Sequence, residues 1–367
     1  MKLELRRAGE DVIDLGFGNP DIPSPEVAVE KLREAALDPR NHRYSASRGI
    51  PNLRRAICDL YRRRFGVELD SEREAITTIG AKEGLSHLLW VLVEPGDAAL
   101  VPDPSYPIHR FAPALAGAQV EGFPVEGDPF ESLEEAYART KGRARVAIVS
   151  FPHNPTSSVA DLDLMQRIVD FARERELVVV HDFAYADIAF DGHRPPSILQ
   201  AEGAQDVAIE LYSLTKGFSM AGWRVGFALG NAEILAGFGR LKSYLDYGTF
   251  QPIQIAAILA MNEAPDYPLE VCEVYRSRRD ALCRGLARAG WDIEPPRGTM
   301  FVWAPIPQPF GTDGSQAFSL RLLRDAKVAV SPGGGFGPGG DGHVRFALVE
   351  NEQRIAQATR GIRAVLQ

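Results

Sequence analysis

The feature that most constrains the fold of this chain is an alternation of short Val- and Ile-rich runs with longer segments of helical period. The runs lie at residues 75–79, 98–101, 146–151, 177–182, 207–214 and 225–229. Between two of them, segment 162–175 places Leu164, Ile168 and Phe171 on one helical face. Such alternation is typical of parallel strands joined by crossover helices. It predicts an α/β protein with a mostly parallel central sheet, both faces of which are covered by helices.

A change of pattern near residue 250 predicts a second domain. The chain has 367 residues, more than one domain usually contains. Beyond residue 250, helical stretches at 254–261 and 269–289 precede short strands near 300–304, 326–330 and 343–348. We predict a large domain at residues 42–250 and a smaller α+β domain at residues 251–367. Residues 1–41, with a predicted helix at 25–37, are too few for their own sheet and are expected to pack with the C-terminal part.

Composition argues against several classes of protein. The net charge of −8 comes without a basic tract for a phosphate backbone, so nucleic acid is not an expected partner. Three cysteines are too few and too scattered for a disulfide framework, which fits a reducing cytoplasm. No apolar run approaches the roughly 20 residues of a spanning helix, and the N-terminus lacks the apolar core of a signal peptide. The seven histidines show no zinc-ligand spacing, so no metal site is predicted.

Polar residues follow three of the predicted strands directly. Asn154, Asp182 and Lys216 come after the runs that end near residues 151, 182 and 214. Ligands of open parallel sheets bind at the carboxyl ends of the strands, so these side chains are expected at one crevice. A lysine between apolar strands is desolvated, and its neutral amine becomes a nucleophile toward a carbonyl. An aspartate beside it could keep a pyridine nitrogen protonated, while Asn154 and Tyr185 could bind a phenolic oxygen on that ring.

A phosphate cradle is predicted at the turn Gly80-Ala81-Lys82-Glu83-Gly84. This turn follows a strand and begins a predicted helix, so free backbone N–H groups are available at a helix N-terminus. Ser213 and Arg224 flank Lys216 closely in sequence. One loop could therefore supply a hydroxyl, an amine and a guanidinium to the same small ligand.

The segment Ser213-Leu-Thr-Lys216-Gly-Phe-Ser-Met-Ala-Gly-Trp-Arg224 resembles the lysine signature of the class I and II aminotransferases, which are fold type I pyridoxal-phosphate enzymes. The resemblance spans nearly the whole chain. It includes Gly18-Asn-Pro-Asp21, Tyr44 with Arg48-Gly49-Ile-Pro51-Asn-Leu-Arg54, the Gly80-Ala-Lys turn, Pro104-Ser-Tyr106, Asn154-Pro-Thr, Asp182 with Tyr185, and Arg345 in Val-Arg-Phe-Ala-Leu.

The resemblance implies a role for each of these residues. Lys216 is expected to hold pyridoxal 5'-phosphate as a Schiff base and to move the substrate α-proton as general acid and base. The remaining cofactor-binding residues are then Gly80, Ala81, Lys82, Tyr106 as a stacking ring, Asn154, Asp182, Tyr185, Ser213 and Arg224. Gly18, Asn154 and Arg345 are expected to bind the substrate, with Arg345 on its α-carboxylate. Tyr44 is expected to reach the phosphate in the other subunit's site, which implies a homodimer with shared active sites.

Two departures from the family pattern affect these expectations. Ser157 stands where the family usually has glycine after Asn-Pro-Thr, and the arm before Val12 is short. We expect the serine to alter the local turn and the short arm to change the dimer contact. Without the resemblance, Arg345 on its alternating strand fits an edge salt bridge equally well.

Segments such as Val101-Pro-Asp-Pro-Ser-Tyr-Pro-Ile-His and His181-Asp-Phe-Ala-Tyr-Ala-Asp resemble the bacterial alanine (glutamate–pyruvate) aminotransferase branch. They imply transfer of an amino group between alanine or glutamate and pyruvate or 2-oxoglutarate. Enzymes acting on diaminopimelate, succinyl-diaminopimelate or aspartate share most of the same residues and stay open as alternatives. A carbon–sulfur lyase with the same lysine and a cofactor-sensing regulator are further alternatives.

Overall fold

The structure is a computed structural model that describes residues 1–367. Its helices, numbered in chain order, are α1 (Lys2–Arg7), α2 (Glu26–Ala36), α3 (Pro51–Phe65), α4 (Ala81–Leu92), α5 (Pro107–Leu115), α6 (Pro129–Thr140), α7 (Leu162–Arg175), α8 (Ala204–Val207), α9 (Leu214–Gly217), α10 (Ala232–Leu245), α11 (Gln251–Glu263), α12 (Tyr267–Arg288), α13 (Gly314–Arg321) and α14 (Glu352–Leu366). None of them is long and apolar enough to cross a membrane.

The central sheet has seven strands: β2 (Ala75–Thr78), β3 (Ala98–Pro102), β4 (Gln119–Phe123), β5 (Ala144–Val149), β6 (Val178–Asp182), β7 (Ala208–Ser213) and β8 (Gly226–Gly230). Their order is β2-β8-β7-β6-β5-β3-β4. Only β8 runs antiparallel to its neighbours, and the link that joins it to β7 contains no α-helix longer than the four residues of α9. The predicted α/β class and the six predicted strands are confirmed. Edge strand β4 was not predicted.

Every strand of this sheet except the edge strand β4 buries both faces. Along β6, Val179 lies in the apolar cluster that contains Met165 and Ile168 of α7, whereas Val180 lies in the cluster that contains Leu88 of α4. Alternate side chains of a strand point to opposite faces, so a run of valines can be buried on both. Burial of each such side chain contributes about 1.5–3 kcal/mol.

The C-terminal part forms smaller sheets with the N-terminal segment. Strands β9 (Phe301–Pro305), β11 (Ser331–Pro332) and β12 (His343–Ala347) form an antiparallel sheet in the order β11-β12-β9. Strand β1 (Ile13–Asp14) pairs in parallel with β10 (Val328–Ala329). A third apolar cluster packs these strands against α12 and α14.

Helix α11 packs into the apolar cluster on one face of the central sheet through Ala257, Ala260 and Met261. It follows residue 250, where the predicted boundary between the domains lies. The division into residues 42–250 and residues 1–41 with 251–367 stays a prediction.

Candidate active site

One cavity of about 430 Å³ lies between the strand ends of the central sheet and the strand pair β9–β12. Eleven of the thirteen predicted site residues line it: Gly18, Ala81, Lys82, Tyr106, Asn154, Asp182, Tyr185, Ser213, Lys216, Arg224 and Arg345. Gly80 adjoins it through Arg224, and Tyr44 lies elsewhere. The roles assigned to these residues remain predictions, but their convergence is a property of the fold.

Lys216 projects from the single turn α9 that ends strand β7. Ser213 begins this turn, and its Oγ accepts a hydrogen bond from the backbone N–H of Thr215 at 3.2 Å. Lys216 Nζ donates to the carbonyl oxygen of Gly18 at 2.9 Å. Burial, together with the positive charges of Arg345 and Arg224, lowers the pKa of Lys216 to about 7. About half of the amines are therefore neutral at pH 7.

Close packing at the next residue fixes this turn. A Cβ at Gly217 would lie 2.2 Å from Oδ2 of Asp187, so glycine is required there. Asp187 is itself held by the hydroxyl of Tyr212, which donates to Oδ2 at 2.9 Å. The position of the Lys216 backbone is thus set by buried neighbours.

Asp182, at the end of β6, pairs with a histidine that the sequence did not single out. Nε2 of His109 lies 2.8 Å from Asp182 Oδ2, and His109 is fully buried on α5. Oδ1 of Asp182 accepts from the backbone N–H of Ala184 at 3.3 Å. The histidine fixes the carboxylate at the cavity, as a partner behind a functional acid commonly does. His109 lies three residues after Tyr106, in the first turn of the helix that Tyr106 precedes, and this is the only local signal for it.

At the turn that is predicted to bind a phosphate, the Arg224 guanidinium packs directly against the backbone of Gly80. Gly80 precedes α4 with φ of +77°, and a Cβ there would lie 2.3 Å from Nη2 of Arg224. Arg224, at φ of +58°, donates from Nη1 to the carbonyl oxygen of Ala221 at 3.1 Å. Its guanidinium therefore lies against the N-terminus of α4, where an anion would also meet free N–H groups. Lys82 is the next cation at the cavity, with Nζ 5.7 Å from the centroid of the Tyr106 ring.

Arg345, on β12, is a buried cation without a carboxylate partner. Nη1 donates to Asn154 Oδ1 at 2.6 Å, and Nη2 donates to the carbonyl oxygen of Gly16 at 3.2 Å. The guanidinium carbon lies 3.8 Å from the ring centroid of Phe301 and 4.5 Å from that of Phe336. Burial lowers the pKa of Arg345 to about 10. An edge salt bridge is excluded, and the unpaired charge favours an anionic ligand.

Two tyrosines differ in their surroundings. Tyr185 is buried, and its ring makes an edge contact with Phe301 at 5.6 Å between centroids. Burial raises its pKa far above the ordinary value, so its hydroxyl stays protonated. Tyr106 directly precedes α5 and makes an edge contact with His109 at 5.9 Å.

Tyr44 lies outside the cavity and is 84% exposed. Its ring lies 4.6 Å from that of Tyr247, in a surface depression that also contains Phe250. A single chain does not test whether Tyr44 reaches the site of another subunit.

Ser157 adopts a backbone conformation that favours glycine. Its φ is +62°, in the left-handed region. That the serine alters the local turn stays a prediction. The side chain is buried and forms hydrogen bonds, which a glycine could not do.

A cluster of Glu83, His87 and Asp246 lies near the N-terminal turn of α4 and has metal-ligand spacing. An ammonium occupies it: Nζ of the fully buried Lys242 donates to Asp246 Oδ2 at 2.7 Å and to Glu83 Oε1 at 3.3 Å. Glu83 Oε2 accepts from the backbone N–H of Ile79 at 2.7 Å. This network joins the cradle turn to the end of α10.

Comparison with known proteins finds relatives over the whole of this chain. The family model described as aminotransferase class I and II matches residues 10–362. The Escherichia coli (strain K12) glutamate-pyruvate aminotransferase AlaC is 50% identical over 100% of this chain and 89% of its own length. An LL-diaminopimelate aminotransferase of Desulforudis audaxviator is 45% identical over 99% of this chain and 92% of its own length. The structure of a probable N-succinyldiaminopimelate aminotransferase from Thermus thermophilus superposes with a TM-score of 0.93 at 35% identity, over 99% of this chain and 97% of that one.

The match covers the large sheet, the smaller sheets and all the residues at the cavity. The chain is an enzyme that belongs to the class I and II aminotransferase family, whose members use pyridoxal phosphate.

Proposed function

We propose that this aminotransferase uses pyridoxal 5'-phosphate, held at Lys216, to move an amino group between alanine or glutamate and pyruvate or 2-oxoglutarate. The observation that carries the proposal is the presence of a partly neutral amine, Lys216, and an unpaired guanidinium, Arg345, at one cavity. The amine suits a carbonyl, and the guanidinium suits the carboxylate of an amino acid. The relative named as a glutamate-pyruvate enzyme supports the substrate pair.

The residues at the cavity fit the cofactor. The phosphate group would bind at the Gly80 turn, beside Ser213 and Arg224. The nitrogen of the pyridine ring needs an acidic partner, and Asp182, which His109 holds in place, would supply it. Tyr106 offers an aromatic face, and Asn154 and Tyr185 offer polar atoms. When bound, the cofactor withdraws electrons from the α-carbon of the amino acid.

The protein's own groups then have distinct tasks. Arg345 and Asn154 bind the substrate α-carboxylate and fix the orientation of the α-carbon. Lys216 Nζ, with a pKa of about 7, takes the proton from that carbon and returns it, because a base near neutrality can do both. The Asp182 carboxylate, held by His109, faces the cavity.

The assembly and location of the enzyme are part of the proposal. Tyr44, Tyr244 and Tyr247 are exposed by 84%, 81% and 59%, and such a group of aromatic rings favours a subunit interface. We propose a homodimer in which Tyr44 completes the other subunit's site. The three free cysteines support a cytoplasmic location.

A second candidate activity is the transamination of LL-diaminopimelate. The relative with that name is 45% identical to this chain, close to the 50% of the glutamate-pyruvate enzyme. Both activities need the same α-carboxylate site, which Arg345 and Asn154 would form. They differ in the distal group that the site must accept, which is a methyl group in alanine, a carboxylate in glutamate, and a carboxylate with an ammonium in LL-diaminopimelate.

The test is the absorbance of the cofactor-loaded protein on separate addition of L-alanine, L-glutamate, L-aspartate and LL-diaminopimelate. We expect alanine and glutamate to convert the aldehyde form of the cofactor to its amine form. Conversion by LL-diaminopimelate alone would replace the substrate assignment. Conversion by none of the four would contradict the proposal, and Lys216→Ala serves as the unreactive control.

A further inference from the structure

Two non-glycine residues with left-handed backbone meet beside the cavity. Ser157, in the loop after β5, has φ of +62°, and Thr299, before β9, has φ of +65°. Positive φ is uncommon for any residue other than glycine, and for the β-branched Thr299 it is rare enough that surrounding contacts must impose it. Both side chains are buried, with 4% and 0% exposure.

The two hydroxyls form a closed set of hydrogen bonds with one residue of β9. The backbone N–H of Phe301 donates to Thr299 Oγ1 at 3.1 Å. Thr299 Oγ1 and Ser157 Oγ are 2.7 Å apart, and Ser157 Oγ donates to the carbonyl oxygen of Phe301 at 3.0 Å. If the Thr299 hydroxyl donates to Ser157, every group in the set is satisfied. A glycine at 157 would leave this set open.

The ring of Phe301 packs against the guanidinium of Arg345, the group that we propose binds the substrate carboxylate. Its ring centroid lies 3.8 Å from the guanidinium carbon of Arg345. A Cβ at Gly18 would lie 2.6 Å from the same ring, so the ring has no free space on that side. A displacement at the start of β9 would therefore move Arg345.

The loop that carries Ser157 reaches Arg345 by a second route. Asn154 Oδ1 accepts from Arg345 Nη1 at 2.6 Å. Within the loop, the N–H of Ser157 donates to the carbonyl oxygen of His153 at 2.7 Å. One short turn thus holds both the guanidinium and the aromatic ring beneath it.

We infer that the hydroxyl of Ser157 is a positioning group that, through Thr299 and Phe301, sets the place of Arg345 for the substrate α-carboxylate. Ser157 acts through its neighbours and is not at the cavity surface. The inference rests on the proposed function, because it assumes that Arg345 binds that carboxylate.

The expected effect is confined to substrates that carry an α-carboxylate. Removal of the hydroxyl leaves the Phe301 carbonyl without its donor and the Thr299 hydroxyl proton without its acceptor, and Arg345 is then less well placed. We expect the KM for L-alanine to rise about tenfold with kcat nearly unchanged, because binding to Arg345 is lost equally in the ground and transition states.

The test uses single-turnover absorbance of cofactor-loaded protein with L-alanine and with ethylamine, which is alanine without its carboxylate. Ser157→Ala removes the hydroxyl and keeps a side chain at positive φ. Ser157→Gly removes the hydroxyl and relaxes the backbone, so it also serves if the alanine variant folds poorly. The matched control is Ser158→Ala, because Ser158 Oγ contacts only Thr156 Oγ1, at 2.8 Å, within the same loop.

We expect both Ser157 variants to lower the alanine-to-ethylamine rate ratio at low substrate concentration about tenfold, with Ser158→Ala near wild type. An equal fall with both amines, an unchanged ratio, or the same fall in Ser158→Ala would overturn the inference. If wild type converts only another amino acid, that acid and its decarboxylated amine replace the pair. A wild-type protein that converts no amino acid would refute the proposed function itself.

Discussion

The pKa of Lys216 makes a prediction about how the cofactor-free protein captures an aldehyde. Burial, aided by Arg345 and Arg224, lowers this pKa from 10.5 to about 7. About half of the Lys216 amines are then neutral at pH 7, whereas an ordinary lysine is neutral in roughly one molecule in 3000. Capture at Lys216 should therefore be on the order of 10³ times faster than at an exposed lysine.

The assay is stopped-flow absorbance after mixing cofactor-free protein with pyridoxal between pH 5 and pH 9. Pyridoxal lacks a phosphate, so titration of that group does not enter the profile. We expect the rate to rise about tenfold per pH unit below 7 and to level off above it. Arg224→Gln should move the midpoint to higher pH, because a positive neighbour that lowers the pKa is removed.

Lys216→Met identifies the reacting group, since the fast phase should vanish in that variant. A rate that still rises steeply at pH 9 would show an ordinary lysine pKa and refute the argument from burial. A midpoint near 7 that persists in Lys216→Met would assign the titration to another group.

Other substitutions test other parts of the site. Asp182→Asn should slow the alanine half-reaction at least about 100-fold, measured by single-turnover absorbance, because the charge that holds a protonated ring is lost. Gly80→Ala should weaken pyridoxal 5'-phosphate binding about tenfold in a fluorescence titration, since the methyl group meets Arg224, and pyridoxal binding should not change. Lys242→Met should lower the free energy of unfolding in urea by about 3 kcal/mol, because two carboxylates lose a buried partner. The pKa of Lys216 is lower in the folded cofactor-free protein than in the unfolded chain, so the unfolded chain binds more protons between pH 7 and pH 10.5. The free energy of unfolding of the cofactor-free protein should therefore rise over this range by at most about 5 kcal/mol. Lys216→Met should lack this rise.

The central sheet was predictable because all of its strands except β4 bury both faces. Runs such as the valines of β6 have no polar alternation, and crossover helices separate most of them. Edge strand β4 escaped prediction because Gln119 and Glu121 interrupt its pattern and Gly122 weakens it. Strands β1, β10 and β11 have two residues each, and so short a strand carries no period. Only a strand near residues 326–330 was predicted among them.

The residues of the candidate site also fall into those that local sequence predicts and those that it does not. Asn154, Asp182 and Lys216 follow from local sequence, because the topology of a parallel sheet brings strand ends together. Arg345 and Gly18 came from the family resemblance, since contacts between distant parts of the chain leave no local pattern. His109 and Phe301 were missed because a histidine on a helix and a phenylalanine on an apolar strand look like ordinary core residues.

The contacts of the segment after β1 with the C-terminal strands affect the order in which parts of the enzyme can fold. Leu15 accepts a hydrogen bond from the N–H of Ala347, and Gly16 accepts one from the hydroxyl of Ser331. Phe17 and Gly18, which follow directly, form one wall of the cavity. During synthesis the strands of the large sheet leave the ribosome well before these C-terminal partners exist, and domains fold in that order. Residues 15–18 therefore gain these partners only after residues 331–347 have been made, so this wall of the cavity is completed later than the large sheet.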